Sequence, residues 1–159
     1  MLKCGLLVAA LVAILDQLSK AWILGLLAAR PPGARFVTLT GFFNLVLTWN
    51  RGMSFGLFNT DAALNAVVFT VLAAIIVLAL ILWLRRTREP LLAIAIGLVI
   101  GGAIGNVVDR LWRGAVVDFL DFHLGEWHWF AFNLADAAIC IGVALMVIDS
   151  LLGRREALN

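Results

Sequence analysis

From Ala62 to Leu84 the chain carries no charged residue. A helix rises about 1.5 Å per residue, so about 20 apolar residues cross the hydrocarbon core of a bilayer. Lipid offers the backbone no hydrogen-bond partner, so a lone apolar run of this length spans as a helix. The run Leu91–Val108 is uncharged as well, and fits the same description. Two further apolar stretches carry acids inside them: Cys4–Leu24 holds Asp16 with Lys20, and Ala131–Leu152 holds Asp136 near one end and Asp149 near the other. Composition agrees with lipid as the solvent. The chain is 64% hydrophobic with a mean hydropathy of +1.05, against about 45–50% apolar residues in soluble domains. The expectation is an all-α membrane protein forming one domain over residues 1–159, with spans at about 4–24, 62–84, 91–110 and 131–152.

Basic residues set the orientation of such a chain. Arg85, Arg86 and Arg88 crowd the short loop after the second span, Arg154 and Arg155 lie in the tail, and Lys3 lies near the start. Arg30, Arg35, Arg51 and Arg113 fall in the other loops, which places both termini in the cytoplasm. The net charge of +2 comes mainly from arginines at span ends, and no nucleic-acid surface is read from it. Trp22, Trp49, Trp112, Trp127 and Trp129 sit at outer ends or in outer loops, with Trp83 at an inner end, as interfacial aromatics do. The first span lacks a small-residue cleavage site and reads as a retained anchor. Cys4 and Cys140 lie far apart in apolar segments and read as small buried residues rather than a disulfide or metal pair.

The outer segments are too rich in pattern to be connectors. In "RFVTLTGFFNLVLTWN", β-branched and aromatic residues broken by Gly41 predict two short strands, and "NRGMSFGLF" predicts a bend after them. "GAVVDFLDF" in the segment Leu111–Phe130 is strand-like at its start. A small extracytoplasmic β-sheet is therefore expected beside the bundle, its backbone satisfied by protein or water.

Within the third span, Gly97, Gly101 and Gly105 recur every four residues and make a smooth helix face for close packing. Asn106, Asp109 and Arg110 follow at the outer end. In the first span Asp16 and Lys20 are four apart and able to pair. Of the 10 acids, Asp61, Glu89, Asp121, Glu126 and Glu156 read as solvated, and Asp149 as structural. Asp16, Asp109, Asp118 and Asp136 remain, all toward the outer side. His123 and His128 are five apart, off one helix face, and a zinc site is poorly supported; Ser19 and Ser54 lack a sequence-evident base. Two close aspartates share one proton. The ionised member can then activate water while the protonated one donates to a carbonyl oxygen, which hydrolyses a peptide without metal or cofactor. Periodicity does not choose the pair, although Asp118 on a loop strand and Asp136 on a helix are attractive.

Five blocks in order, "DQLSK" at Asp16–Lys20, "NRGMSF" at Asn50–Phe55, "GGAIGNVVDR" at Gly101–Arg110, "GAVVDF" at Gly114–Phe119 and "FNLAD" at Phe132–Asp136, resemble the bacterial lipoprotein signal peptidase (signal peptidase II) family. The resemblance runs nearly end to end. It implies an intramembrane aspartyl protease with Asp118 and Asp136 as catalytic dyad and Asn50, Asn106, Arg110 and Asn133 lining the site. Asp16, Lys20, Gly52, Gly105 and Asp109 are expected to support it, with a loop closing over the top. The implied substrate is a prolipoprotein whose cysteine carries diacylglycerol, cut just before that cysteine at the outer face of a bacterial inner membrane. The protein is expected to work as a monomer among membrane lipids. Ser54 stands where alanine is common in the family, and Phe130 where a smaller residue or proline is. The rival class is a small proton-coupled transporter, since intramembrane acids also make proton relays; against it, no polar trail runs through the second or fourth span.

Overall fold

The computed structural model describes residues 1–52 and 62–156. Ser54, Phe55 and the rest of the glycine-rich bend, Asp61, and most of the loop expected over the site lie outside the described residues, as does the side chain of Arg154.

The helices are α1 (Leu2–Leu27), α2 (Ala62–Leu84), α3 (Pro90–Arg113) and α4 (Leu134–Glu156). All four are long and apolar enough to cross a membrane. α3 is the central one: 56% of its most apolar stretch is buried inside the protein, against 6% for α2. Glycine makes that burial possible. A Cβ at Gly97 would stand 2.5 Å from the carbonyl oxygen of Gly5, and one at Gly101 2.6 Å from that of Ala9, so this face of α3 lies directly on the backbone of α1. A Cβ at Gly102 would stand 2.4 Å from the carbonyl oxygen of Ala135, so the neighbouring face meets α4 in the same way. Such approach lets dispersion and weak backbone contacts hold helices together where lipid supplies no hydrophobic drive. Leu80, Leu84, Ile96 and Ile100 fill the end of the bundle near the α2–α3 turn. Leu7, Leu11, Ile14 and Leu18 stay exposed along one stripe of α1, the face such a helix turns to lipid. Cys140 is exposed rather than buried, because it lies on an outward face of α4.

α3 opens with Pro90 in its first turn and closes at Gly114, whose φ of 75° carries the left-handed cap and returns the chain as a strand. The sheet contains β1 (Phe36–Thr40), β2 (Phe43–Asn50), β3 (Val116–Leu124) and β4 (Trp127–His128), antiparallel throughout and in that order. β1, β2 and β3 grow from the segments where alternation and β-branching predict strands. β4 falls where Trp127 is expected in an outer loop; Gly125, at φ 61°, makes the reversal that pairs Leu124 with Trp127. One face of the sheet sits on the end of α1, where Leu45, Leu47, Val117 and Phe119 close over Ile23 and Leu27.

β3 is irregular at one point. Phe119 and Leu120 both donate their N–H to the carbonyl oxygen of Phe132, at 2.9 and 2.8 Å, and both pack toward the core. The β2–β3 register slips at the same level, between Leu45 and Thr48. Such a bulge re-aims side chains: Asp118 and Asp121, three apart, reach the same side. The bridge from Phe132 to Leu120 also keeps the chain extended there, so α4 starts at Leu134 and not at Ala131, where hydropathy would begin it.

Candidate active site

Asp118 comes from β3 and Asp136 from the first turn of α4. Asn133 joins them. Its Nδ2 donates to Asp118 Oδ1 at 2.7 Å. Its Oδ1 accepts the N–H of Asp136 at 2.9 Å, and its own N–H reaches Asp136 Oδ2 at 3.3 Å. This is a reciprocal cap at the start of α4, and it answers a question the sequence raises. An acid stands in the first turn of a span because there it faces the helix's free N–H groups and positive dipole end.

Each carboxylate has a second amide donor. Asn50 Nδ2 donates to Asp118 Oδ2 at 2.9 Å, and Asn106 Nδ2 to Asp136 Oδ1 at 2.8 Å. Both asparagines are themselves held. The N–H of Gly52 donates to Asn50 Oδ1 at 2.8 Å. Gly52 must be glycine, since its φ is 85° and a Cβ would fall 2.3 Å from the Phe69 ring. Asn106 Oδ1 accepts from Lys20 Nζ at 3.1 Å and from Asn133 Nδ2 at 3.2 Å.

Beneath this layer lie Asp16, Lys20 and Asp109, all fully buried. Lys20 and Asp16 pair at 2.8 Å, as their spacing predicts, but the pair is not local. Lys20 also reaches Asp109 Oδ2 at 2.9 Å, tying α1 to α3. The two acids use their remaining capacity alike. Asp16 Oδ1 accepts the N–H of Ala135 at 3.0 Å, and Asp109 Oδ2 accepts the N–H of Val117 at 3.0 Å. Each therefore grips the backbone one residue before Asp136 or Asp118. Gly105 makes room for this, for a Cβ there would stand 2.5 Å from Asp16 Oδ2.

Arg110 parts from its neighbours. It lies over the Phe69 ring, 5.3 Å from the centroid, with NH1 3.4 Å from the carbonyl oxygen of Asn106, and Asp136, Asp118 and Asp109 all act on it electrostatically. Sequence reasoning passed over Gln17 and Arg113. Gln17 Nε2 bonds the carbonyl oxygen of Gly105 at 3.0 Å and Asp109 Oδ1 at 3.2 Å. Arg113 pairs with Asp109 and donates to Gln17 Oε1 at 3.1 Å. The i, i+4 spacing of Asp109 and Arg113 was the available signal. Asp121, read as solvated, is instead buried: the bulge turns it inward, where Asn44 Nδ2 and His128 Nδ1 bond it at 3.1 and 2.9 Å.

Asp118 opens into a groove of about 450 Å³ lined by Thr48, Trp49, Asn50, Arg51, Phe130 and Ala131. Phe130, where the chain departs from the resembled pattern, is thus a groove wall. Burial raises the Asp118 carboxyl to about 6; the bond from Asn50 opposes this, and the charge of Asp136 adds to it.

These features define a polytopic membrane protein whose buried polar groups gather where the bundle meets a small antiparallel sheet. A model of the family described as signal peptidase (SPase) II matches residues 8–152, and the chain belongs to that family. It is an aspartic endopeptidase of that type. A lipoprotein signal peptidase of Nitrobacter hamburgensis is 43% identical over 155 residues, covering 95% of this chain and 93% of the relative. One from Burkholderia vietnamiensis is 47% identical over 142 residues, covering 89% and 83%. A bacterial membrane enzyme solved by the in meso method superimposes with a TM-score of 0.78 at 30% identity over 92% of each chain.

Proposed function

We propose that the protein removes the signal peptide from diacylglyceryl-modified prolipoproteins, cutting before the lipidated cysteine, with Asp118 and Asp136 as the catalytic pair. The observation that carries this reading is Asn133, which joins the two acids: its side chain donates to the Asp118 carboxylate and its backbone N–H to the Asp136 carboxylate. Two acids sharing one proton divide the work. The ionised carboxylate takes a proton from water as that water attacks the scissile carbonyl carbon. The protonated one donates to the carbonyl oxygen, and a proton passes to the leaving nitrogen as the tetrahedral intermediate collapses. Both are held by neutral amides, so neither is locked in one charge state by a direct ion pair. The buried Lys20 and the half-buried Arg113 are balanced by Asp16 and Asp109 and act through positioning.

The site suits a lipid-borne substrate. The signal peptide would lie along the exposed apolar helix faces, with its scissile bond raised to the groove. Arg110 is placed to hold a carbonyl or anionic group of the substrate. The sheet adjoins the end of α3 opposite the arginine-rich α2–α3 turn, so with that turn in the cytoplasm the site faces outward and both termini face inward, in a bacterial cytoplasmic membrane. One copy supplies every donor in the described network, in keeping with a monomer. A transporter would need a polar route to the other side, whereas an apolar cluster fills the inner end of the bundle.

Cleavage of a diacylglyceryl-modified prolipoprotein by purified protein, read as a gel shift, tests the reading. Wild type is expected to cut. Asp118→Asn and Asp136→Asn keep the shape, remove a titrating acid, and are expected to lose at least about 100-fold in rate. Near-wild-type activity in either folded variant would remove that residue from the pair.

A further inference from the structure

The groove at Asp118 does not end there. A second groove of about 610 Å³ shares Thr48, Phe130 and Ala131 with the first and continues to Asn44, Asp121 and His128. The bulge at Phe119 and Leu120 creates this continuity, because regular alternation would turn Asp121 away from Asp118.

The far groove has a built polar floor. Asp121 is 5% exposed, and both of its oxygens lie within 3.0 Å of His128 Nδ1. Asn44 Nδ2 donates to Asp121 Oδ2 at 3.1 Å. His123 stacks on the His128 ring at a centroid distance of 5.0 Å and fixes its plane. Acceptors predominate here. Asn44 Oδ1 is buried with no partner among the described residues. The Asp121 carboxylate is an acceptor, and a His128 that donates through Nδ1 offers Nε2 as another. Such a floor calls for a hydrogen-bond donor, best a cation. The mechanism uses none of these three residues.

We infer that Asn44, Asp121 and His128 form a specificity subsite for a lysine or arginine side chain of the substrate polypeptide, on the side that follows the scissile bond. The inference rests on the peptidase reading above. The signal peptide must run along the lipid-facing bundle, whereas this groove leaves Asp118 along β3, away from the helices. Three strand residues cover roughly 10 Å, so an extended substrate brings its third residue or so past the cut over Asp121. Charge-assisted bonds to a buried carboxylate then favour the basic side chain.

The test is competitive cleavage of two diacylglyceryl-modified prolipoproteins, one with Lys and one with Leu at the second to fourth positions after the scissile bond. Wild type is expected to favour the Lys substrate about tenfold in kcat/KM. In Asp121→Asn, and separately in Asn44→Ala, the ratio is expected to fall toward one. No preference in wild type would overturn the subsite. So would variants that slow both substrates by one factor and keep the ratio, since that marks a purely structural role. Failure of wild type to cut either substrate would overturn the peptidase reading itself, and the subsite with it.

Discussion

Asn133 does three jobs with one side chain and one N–H: it caps α4, orients Asp136 and donates to Asp118. Asn133→Ala removes all three. The lost cap alone costs about 1 kcal/mol, and loss of the donor frees Asp118 within the groove. We expect a modest drop in melting temperature together with a fall in kcat of about tenfold or more, far beyond what the stability change explains. Asn133→Asp keeps the cap oxygen but buries a third acid against Asp118 in place of a donor, and is expected to restore neither stability nor activity. Asp118 gives a pH signature. Its folded pKa of about 6 exceeds the roughly 3.9 of an unfolded aspartate, so between those values the folded protein holds more protons than the unfolded one. Stability therefore falls as pH rises through about 4 to 6 and levels off above that window. Melting in detergent across pH 4–8 should record this slope, and Asp118→Asn should flatten it. A slope unchanged in the variant would place its source in another group.

At the scale of elements, the glycines of α3 decide how closely three helices approach. Gly105 connects packing to the site, because its missing Cβ is where the Asp16 carboxylate sits. Gly105→Ala would push that carboxylate off the N–H of Ala135 and loosen the start of α4. We expect a loss of cleavage with little change in helix content, whereas Gly33→Ala, with open space around it, should leave both unchanged. The spans, the first two strands and much of β3 were legible in the sequence, because lipid allows one solution for a long apolar run and because alternation with β-branching marks a half-buried strand. β4 and the start of α4 were not. The start of α4 depends on the pairing of Phe132 with Leu120, across a loop that no local pattern closes, and β4 is only two residues long, too short to show an alternation.

Across the whole molecule, one buried cation joins what the chain separates. Lys20 lies between Asp16 of α1 and Asp109 of α3 and bonds Asn106 as well. Lys20→Met would leave buried acids with one cation fewer, a change that typically destabilises by about 3–5 kcal/mol. Thermal unfolding of the purified variant checks this, and a shift of only a degree or two would show the triad to be dispensable for stability. A second expectation joins this one: activity should be lost at temperatures where the variant is still folded, because Asn106 would no longer be aimed at Asp136.

What the sequence by itself determined is the solvent, the spans and the short set of acids worth asking about. An uncharged run long enough to cross a bilayer leaves no other fold, and an aspartate inside a span needs a reason. Asp16 and Lys20 could also be paired from their spacing, since helix geometry is local. The tertiary structure alone decided that Lys20 continues to Asp109, that Asp16 and Asp109 each grip the residue before Asp136 and Asp118, and that a bulge turns Asp121 into the groove. Those arrangements depend on how closely α3 approaches α1 and α4 and on a one-residue slip in a ladder. Both are set by packing among segments up to 119 residues apart, a separation no sequence pattern spans.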